Sequence, residues 1–157
     1  LVLRHESART LVVSSTTGFA VEGYGKGDIF LEDFCGHLNR VAPGQSAWCR
    51  QLNSKREGTK SRNVGGNLWI LGMKSENTGT LIETTDGGIT EVNGAFLSSN
   101  TGWNANEPAF LIEDSVANLY GINERNTNRH PVTLWVREKQ GAEVRELTEP
   151  PWVYLSQ

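Results

Sequence analysis

Cysteine is scarce in this chain of 157 residues, which contains only Cys35 and Cys49. Two cysteines are too few for a disulfide framework or a structural zinc site. Two alternatives stay open for the pair: one disulfide between them, or two small buried hydrophobic side chains. The three histidines, His5, His37 and His130, have no partner at metal-ligand spacing, so we expect no zinc or copper site.

Long apolar runs and an excess of positive charge are also absent. Hydrophobic residues make up 37% of the chain, but no run approaches the roughly 20 apolar residues of a membrane-spanning helix. The formal net charge is −3 and the isoelectric point about 5.6, which is unlike the basic surface of a nucleic-acid-binding domain. The sequence therefore predicts neither a membrane span nor a nucleic-acid partner.

Positive charge does cluster locally, in the segment RQLNSKREGTKSR from Arg50 to Arg62. The simpler interpretation is a solvated loop, because short runs of charge usually face water. The alternative is a binding site for an anionic polymer.

Helical periodicity is missing throughout, whereas short runs rich in β-branched and aromatic residues are frequent. Turn sequences such as NVGG, ENTGT and TDGG separate these runs, and the chain has 17 glycines against 5 prolines. Glycine is suited to tight turns because it adopts positive φ without steric cost. The pattern predicts an all-β fold in a single domain over residues 1–157.

Internal similarity between the runs favours a solenoid, in which successive coils stack in parallel and in register. When Gly72 is aligned with Gly94 and Gly121, an inward column forms from Ile70, Val92 and Leu119, and a second column from Met73, Ala95 and Ile122. A second series interleaves with the first, in which Leu81-Ile82-Glu83 aligns with Leu111-Ile112-Glu113 and, more loosely, with Trp135 to Glu138. Phe30 to Asp33 resembles Phe110 to Asp114. An antiparallel β-sandwich is the alternative architecture.

The segment NVGGNLWILGMKSENTGTLIETTDGGITEVNGAFL resembles the C-terminal part of bacterial right-handed parallel β-helix proteins of the pectate-lyase-like superfamily. The similar motifs are Gly65-Gly66, Leu71-Gly72, Lys74 with Glu76, Gly79 through Thr84, and Gly87 through Gly94. The resemblance extends over roughly residues 30–147. It implies a right-handed parallel β-helix, here of about six short coils, an extracellular or cell-surface location, and work on polysaccharide. It also implies that this chain is a fragment of a longer protein.

Several charged residues could perform chemistry on a polysaccharide. A glycosidase needs two carboxyl groups about 5–10 Å apart, which Glu76 with Glu83 or Glu91 could supply. A lyase needs a base and a group that neutralises the substrate carboxylate; Lys74 or Arg50 could be the base, with a calcium ion on Glu or Asp oxygens. The alternative is that these side chains form cross-strand ion pairs on an outer wall. We therefore predict Lys74, Glu76 and Glu91 as catalytic residues, and Arg50 and Glu83 as substrate-binding residues.

Five tryptophans are many for a chain of this length, and aromatic faces can stack on the apolar C–H faces of sugars. Trp69 and Trp135 lie inside dense apolar runs, so we expect them in the core. Trp103, in the polar loop NTGWNANEP, is the predicted exposed sugar platform.

Two functional classes follow. The first is a carbohydrate-directed β-helix protein: a polysaccharide lyase, a glycoside hydrolase, or a glycan-binding remnant of one. The second is a non-catalytic assembly protein of a cell surface, filament or homo-oligomer.

The C-terminal residues 148–157 contain Pro150-Pro151, which cannot continue a central strand, so this tail is predicted to cap the last coil or to dock on a neighbour.

Overall fold

The structure, a computed structural model, describes residues 1–100, 102–126 and 131–157. Among these residues it contains β-strands and no helix. The thirteen strands are β1 (Val2–His5), β2 (Leu11–Gly23), β3 (Ile29–Val41), β4 (Ser46–Ser54), β5 (Ser61–Val64), β6 (Asn67–Glu76), β7 (Ile82–Thr85), β8 (Ile89–Ser99), β9 (Phe110–Glu113), β10 (Val116–Asn126), β11 (Val136–Gln140), β12 (Glu143–Leu147) and β13 (Val153–Leu155).

The strands form a parallel β-solenoid of about five turns. Strands of the first series pair in the order β2-β3-β4-β6-β8-β10, and those of the second in the order β3-β5-β7-β9-β11, all in parallel. Antiparallel pairing occurs only at the C-terminal end, where β12 pairs with β11 and β13 with β10. The predicted β-helix is confirmed, with about five turns instead of six, and the β-sandwich alternative is wrong.

Successive turns lengthen along the chain. Equivalent positions in the first series are Leu11, Ile29, Ala47, Leu68, Thr90 and Ala117. The spacing between them is therefore 18, 18, 21, 22 and 27 residues. The added residues lie at the ends of the first-series strands and in their connections to the second-series strands, so the loops at one side of the solenoid grow.

Each strand of the first series has a residue with positive φ at an equivalent position, and these residues stack on each other in a corner column; β2 has a second such residue, Gly18, outside the column. The corner column is Ser15, Asp33, Gln51, Gly72, Gly94 and Gly121, with φ of 50°, 48°, 56°, 78°, 83° and 64°. Glycine reaches this region without strain, whereas an L-residue with a Cβ pays about 1–2 kcal/mol. The glycines predicted at corners are confirmed, and three turns use other residues there.

The corner column changes which side chains face inward. In β6, Ile70 and Met73 are buried while Leu71 and Gly72 between them face outward, so the alternation of the strand is reset by one residue. A residue with positive φ inside a strand bends it in this way. The bend divides the solenoid into a first wall (11–14, 29–32, 46–50, 67–71, 89–93, 116–120), a second wall (16–17, 34–35, 52–54, 73–76, 95–99, 122–126) and a third wall (20–23, 37–41, 61–64, 82–85, 110–113, 136–139).

The core consists of in-register columns on the inner faces of these walls. Ile70 pairs with Val92, Val92 with Leu119, and Met73 with Ala95 and Ala95 with Ile122, as predicted. All six side chains are buried. Because strands lie about 4.8 Å apart, each apolar side chain packs on its counterpart in the next turn.

The predicted register of the second series is wrong by two residues. Ile82 pairs with Phe110 rather than Ile112, and Val136 also pairs with Phe110. A shift of two residues keeps the same side chains on the inner face, which is why the pattern resembled the true one. Phe30 lies on the first wall and Phe110 on the third, so the similarity between their segments does not reflect stacking.

The C-terminal residues 148–157 contribute β13, which runs antiparallel along β10 over Asn118 to Tyr120. Tyr154 is buried at the end of the core, and its hydroxyl donates to Oε2 of Glu138 at 2.5 Å. The backbone N–H of Gln157 donates to Oε1 of the same carboxylate at 3.0 Å. Burial and the bond to Glu138 both raise the pKa of Tyr154 well above its ordinary value, so the phenol stays a donor.

The corner column can be tested with a pair of opposite substitutions. Gly94→Ala adds a Cβ that meets no atom within 4 Å, so only the positive φ opposes it, and we expect the free energy of unfolding to fall by about 1–2 kcal/mol. Gln51→Gly removes the same strain from another turn but adds unfolded-state entropy, so it should change stability by less than about 0.5 kcal/mol. Urea denaturation measures both. Equal losses in the two variants would contradict a column held by backbone conformation.

The bond between Tyr154 and Glu138 predicts a second stability difference. Tyr154→Phe leaves a buried carboxylate oxygen without its donor, so the free energy of unfolding should fall by about 1–3 kcal/mol. Tyr24→Phe is the matched control, because it removes an exposed hydroxyl that donates to Glu22 at 3.2 Å; this should cost less than about 0.5 kcal/mol. Thermal and urea denaturation of both variants would show the difference, and two equal effects would contradict it.

Candidate functional site

The outer face of the first wall carries a column of large side chains. In-register pairing places Val12 beside Phe30, Phe30 beside Trp48, and Trp48 beside Trp69. The rings of Phe30 and Trp48 stack with their centroids 4.7 Å apart, and those of Trp48 and Trp69 with centroids 5.1 Å apart, each at an interplanar angle of 11°. One turn of the solenoid therefore supplies one ring of a continuous aromatic stack.

The spacing shows how the rings lie. Parallel rings in contact keep their planes about 3.5–4.0 Å apart, so centroids separated by 4.7 and 5.1 Å require a lateral offset. Offset stacking is the arrangement that the ring quadrupoles favour. The rings cover part of each other's faces; Phe30 is 39% exposed, and Trp48 and Trp69 are half-buried.

A groove of about 350 Å³ runs beside the stack. Its other side is the neighbouring outward column, in which Arg50 forms an ion pair with Glu32 and is followed by Leu71 and Asn93. Leu71 is 60% exposed, so the floor combines apolar surface with a charged pair at one end. We call this surface the aromatic groove; its outward side chains are Val12, Phe30, Glu32, Trp48, Arg50, Trp69, Leu71 and Asn93.

Two of the predicted site residues lie at the aromatic groove. Arg50 lines it directly. Glu91 is half-buried and stands next to Trp69 in the aromatic column, with Asn118 on its other side. The side-chain amide of Asn93 donates to Oε1 of Glu91 at 2.7 Å, so the carboxylate is held at the rim of the groove.

Lys74 and Glu76 lie on the second wall, beyond the corner column. Nζ of Lys74 donates to Oε1 of Glu76 at 2.5 Å, and Lys55 approaches the same oxygen at 3.6 Å. The hydrogen bond from Lys74, with the charge of Lys55, lowers the pKa of Glu76 despite some opposing desolvation. A carboxyl that serves as a general acid needs a raised pKa, so this environment suits an ion pair.

Glu83 lies on the third wall, where Nε of Arg62 donates to its Oε2 at 3.0 Å. The structure therefore distributes Glu76, Glu83 and Glu91 over three different walls and does not bring them together. Two of the three, Glu76 and Glu83, take part in the cross-strand ion pairs that were the alternative interpretation of these charges.

The tryptophans differ from the sequence expectation in two positions. Trp135 is buried, as predicted. Trp69, predicted in the core, is half-buried on the outer face, because Leu68 and Ile70 on either side of it take the inward positions. Trp103, predicted as an exposed platform, is half-buried against the core, and its indole N–H donates to the carbonyl of Glu107 at 2.8 Å.

A second depression, of about 470 Å³, lies where the second and third walls meet in the early turns. His37 lines it and its Nδ1 is 2.6 Å from Oγ of Ser54. Burial, assisted by the charges of Arg56 and Lys60, lowers the pKa of His37 to about 4. The imidazole is therefore neutral at physiological pH.

Both cysteines are free thiols, so the disulfide considered from the sequence does not form. Cys49 is buried in the core, and burial raises its pKa to about 12. Cys35 follows the inward Phe34 and is half-buried on the outer side of the wall, where it lines the depression near His37. The two thiols thus face opposite sides of the backbone.

No group of three or more metal-ligating side chains forms within residues 1–100, 102–126 and 131–157, including the Glu and Asp residues considered for calcium. His130 lies outside the described residues. In the same part of the chain no helix is long and apolar enough to cross a membrane.

Sequence reasoning missed the aromatic stack, although the signal was present. Trp48 precedes the inward Cys49 as Trp69 precedes the inward Ile70, so the two turns share the same pattern. Extending the alignment of the first series back by one turn would have placed the tryptophans side by side on the outer face.

No family model matches the chain, and neither a curated protein nor a solved structure matches it significantly. The fold and the geometry of the walls are therefore the basis for any functional assignment.

His37 predicts a pH dependence of stability. Its ordinary pKa is 6.5 and its folded pKa is about 4, so between these values the unfolded chain binds a proton that the folded chain does not. The stabilisation from neutral His37 is complete above pH 6.5 and is lost as the pH falls towards 4. We expect His37→Gln to lose less stability than the unmodified chain between pH 7 and pH 4.5, in urea denaturation at each pH. Equal losses would show that His37 is not responsible.

Proposed function

We propose that this protein is a glycan-binding β-solenoid, and that the aromatic groove on the first wall is its binding surface. The observation that carries the proposal is the unbroken stack of Phe30, Trp48 and Trp69 beside the ion pair of Arg50 and Glu32. Three outward aromatic rings on consecutive turns expose apolar surface that contributes nothing to the core, which points to a ligand.

The chemistry of the groove suits a sugar chain better than a purely apolar ligand. Sugars present C–H faces that pack on aromatic rings and hydroxyl edges that need polar partners. The rings of Phe30, Trp48 and Trp69 supply the aromatic surface for the C–H faces. The side chains of Arg50, Glu32 and Asn93 in the neighbouring column supply polar partners for the hydroxyl groups. The groove crosses several turns, so an extended glycan would lie along the solenoid axis.

Binding is better supported than hydrolysis. Glu32 and Glu91 are the carboxylates at the aromatic groove, and they lie three turns apart. The strand of Glu32 is separated from the strand of Glu91 by the successive pairings of Glu32 with Arg50, Arg50 with Leu71, and Leu71 with Asn93, and Asn93 is in the same strand as Glu91. Three rungs span about 14 Å at roughly 4.8 Å per rung, which exceeds the separation that a glycosidase uses. A lyase base is also unsupported at Lys74, whose ammonium group is paired with Glu76.

The resemblance to the pectate-lyase-like superfamily agrees with this proposal, since the fold is a parallel β-solenoid. We extend the proposal to membership of that superfamily and to a location outside the cell or on its surface, where polysaccharides are found. In this scheme Glu91 and Arg50 are ligand-binding residues, and Lys74, Glu76 and Glu83 are ion-pair residues of the second and third walls.

The proposal is tested by removing the central ring of the stack. Trp48→Ala should weaken binding to a retained polysaccharide at least about tenfold, which corresponds to ~1.4 kcal/mol. The polysaccharide is first identified by affinity electrophoresis against a panel of neutral and acidic glycans. Phe96→Ala is the matched control, because Phe96 is an aromatic side chain, 41% exposed, on the second wall; binding should not change. Trp48→Phe, which keeps a ring in the stack, should retain most of the affinity.

Failure to bind any polysaccharide favours a second function, self-assembly. The outer edge of β2 over residues 11–17 has no strand partner, and Val12 on it is 67% exposed. Such an edge can pair with another chain. If no polysaccharide is retained and the protein associates with itself as its concentration rises, the protein is an assembly module and the glycan proposal is wrong.

A further inference from the structure

The depression between the second and third walls has the composition of a second ligand site. Its polar side chains are those of Cys35, His37, Asn39, Asn53, Lys55 and Arg56, over a floor of Thr17 to Ala20, and Leu1 and Val2 also line it. No Asp or Glu is found among the described residues that line it. Arg56 and a neutral imidazole therefore face a space of about 470 Å³, and Lys55, which also lines it, has its Nζ 3.6 Å from Oε1 of Glu76.

Arg56 is a cation held in place without a counter-charge. Its Nε donates to the carbonyl of Thr59 at 2.9 Å, and Nη2 donates to the same oxygen. No carboxylate of the described chain lies within ion-pair distance of it. A guanidinium group in this situation is available to bind a carboxylate or phosphate.

Lys60 fixes the loop that carries Arg56. Its side chain is fully buried, and Nζ donates to the carbonyls of Arg56, Gly58 and Thr78, the last at 2.5 Å. The ammonium group thus satisfies three backbone oxygens and joins two successive loops. Because these bonds form within the protein, the position of Arg56 is set before any ligand arrives, which lowers the ordering cost of binding.

Positive charge is in excess around this loop. Burial and the charge of Arg62 lower the pKa of Arg56. Burial and the charge of Arg56 lower the pKa of Lys60 to about 8, although the charges of Glu107 and Glu57 oppose this shift. Groups that disfavour each other's charge are relieved by a bound anion. This favours the anion-binding interpretation of the basic segment from Arg50 to Arg62 as the one to test.

The depression also contains acceptors that lack donors. Oδ1 of Asn39 and Oδ1 of Asn53 are buried atoms without a hydrogen-bond partner. The orientation of the Asn39 amide is set by Glu22, which accepts from Nδ2 at 3.2 Å, so the unpartnered atom is the oxygen. Buried acceptors are normally paired, and hydroxyl groups of a ligand would pair them.

We propose that this depression binds a small hydroxylated anion, a sugar that carries a carboxylate or a phosphate group. The anionic group pairs with Arg56, and the ring hydroxyls donate to Asn39 and Asn53. The site lies across the second and third walls and does not depend on the aromatic groove of the first wall.

The probes are glucuronate and glucose 6-phosphate, with glucose and inorganic phosphate as controls, in isothermal titration calorimetry. At least one of the sugar anions should bind at least about tenfold more tightly than either control, and the better one identifies the anionic group. Arg56→Gln should weaken that binding at least about tenfold. Arg9→Gln, which changes an exposed arginine that does not line the depression, should not. Asn39→Ala should weaken the sugar anion and leave inorganic phosphate unchanged.

Cys35 gives a readout that needs no variant. It lines the depression while Cys49 is buried in the core, so a neutral alkylating reagent should modify Cys35 first, and a bound sugar anion should slow that reaction. Absence of protection by both sugar anions overturns the proposal, as does equal binding of inorganic phosphate and glucose 6-phosphate. Trp48→Ala should leave this binding intact, which separates the failure of this site from failure of the aromatic groove.

Discussion

The structure depends on one constraint: every turn must place its residues in register above those of the turn before. Parallel pairing at a spacing of about 4.8 Å makes each position of the first series a member of a column, from Val13 through Leu31, Cys49, Ile70 and Val92 to Leu119. The corner column preserves this register, because a positive φ at the same position of each strand bends all the turns alike. The core has no other source of order, since the described chain has neither helices nor a disulfide.

The same constraint acts on the outer face, where it creates surfaces that no single turn contains. A tryptophan on one turn is only an amphipathic side chain, but Trp48 and Trp69 stack because the in-register pairing of adjacent turns places one ring beside the other. Opposite charges become ladders in the same way, as between Arg62 and Glu83 or Lys139 and Glu113. Cross-strand pairs of both kinds stabilise the walls by modest amounts, so they explain why most outer charges here are partnered.

The sequence allowed the architecture to be predicted because inward columns repeat in chemistry: Ile70, Val92 and Leu119 are interchangeable apolar residues beside a repeated glycine. The second series was less predictable. Strands β5, β7 and β9 of this series have four residues each, too few to distinguish a register from one shifted by two, since both keep the same inner face. The site was predicted only in part. Arg50 and Glu91, predicted as site residues, lie at the aromatic groove. Trp69 was assigned to the core because its run is apolar, and no local property of the sequence shows that Gln51 and Asp33 replace glycine at the corner.

Variation in length between turns is largest on the side where the first-series strands connect to the second-series strands, and that is where the second depression forms. The first two turns pass from the second wall to the third without a loop, and Gly36 allows this, because an added Cβ would lie 2.3 Å from the carbonyl of Phe19 and 2.4 Å from the ring of Phe34. The third turn inserts the loop 55–60, which Lys60 closes on itself. The depression lies where the short connection of the second turn is followed by the longer loop 55–60 of the third turn. The depression with Arg56 is therefore a consequence of turn lengths that grow from 18 to 21 residues between Ile29, Ala47 and Leu68, and equal turns would have left that side flat.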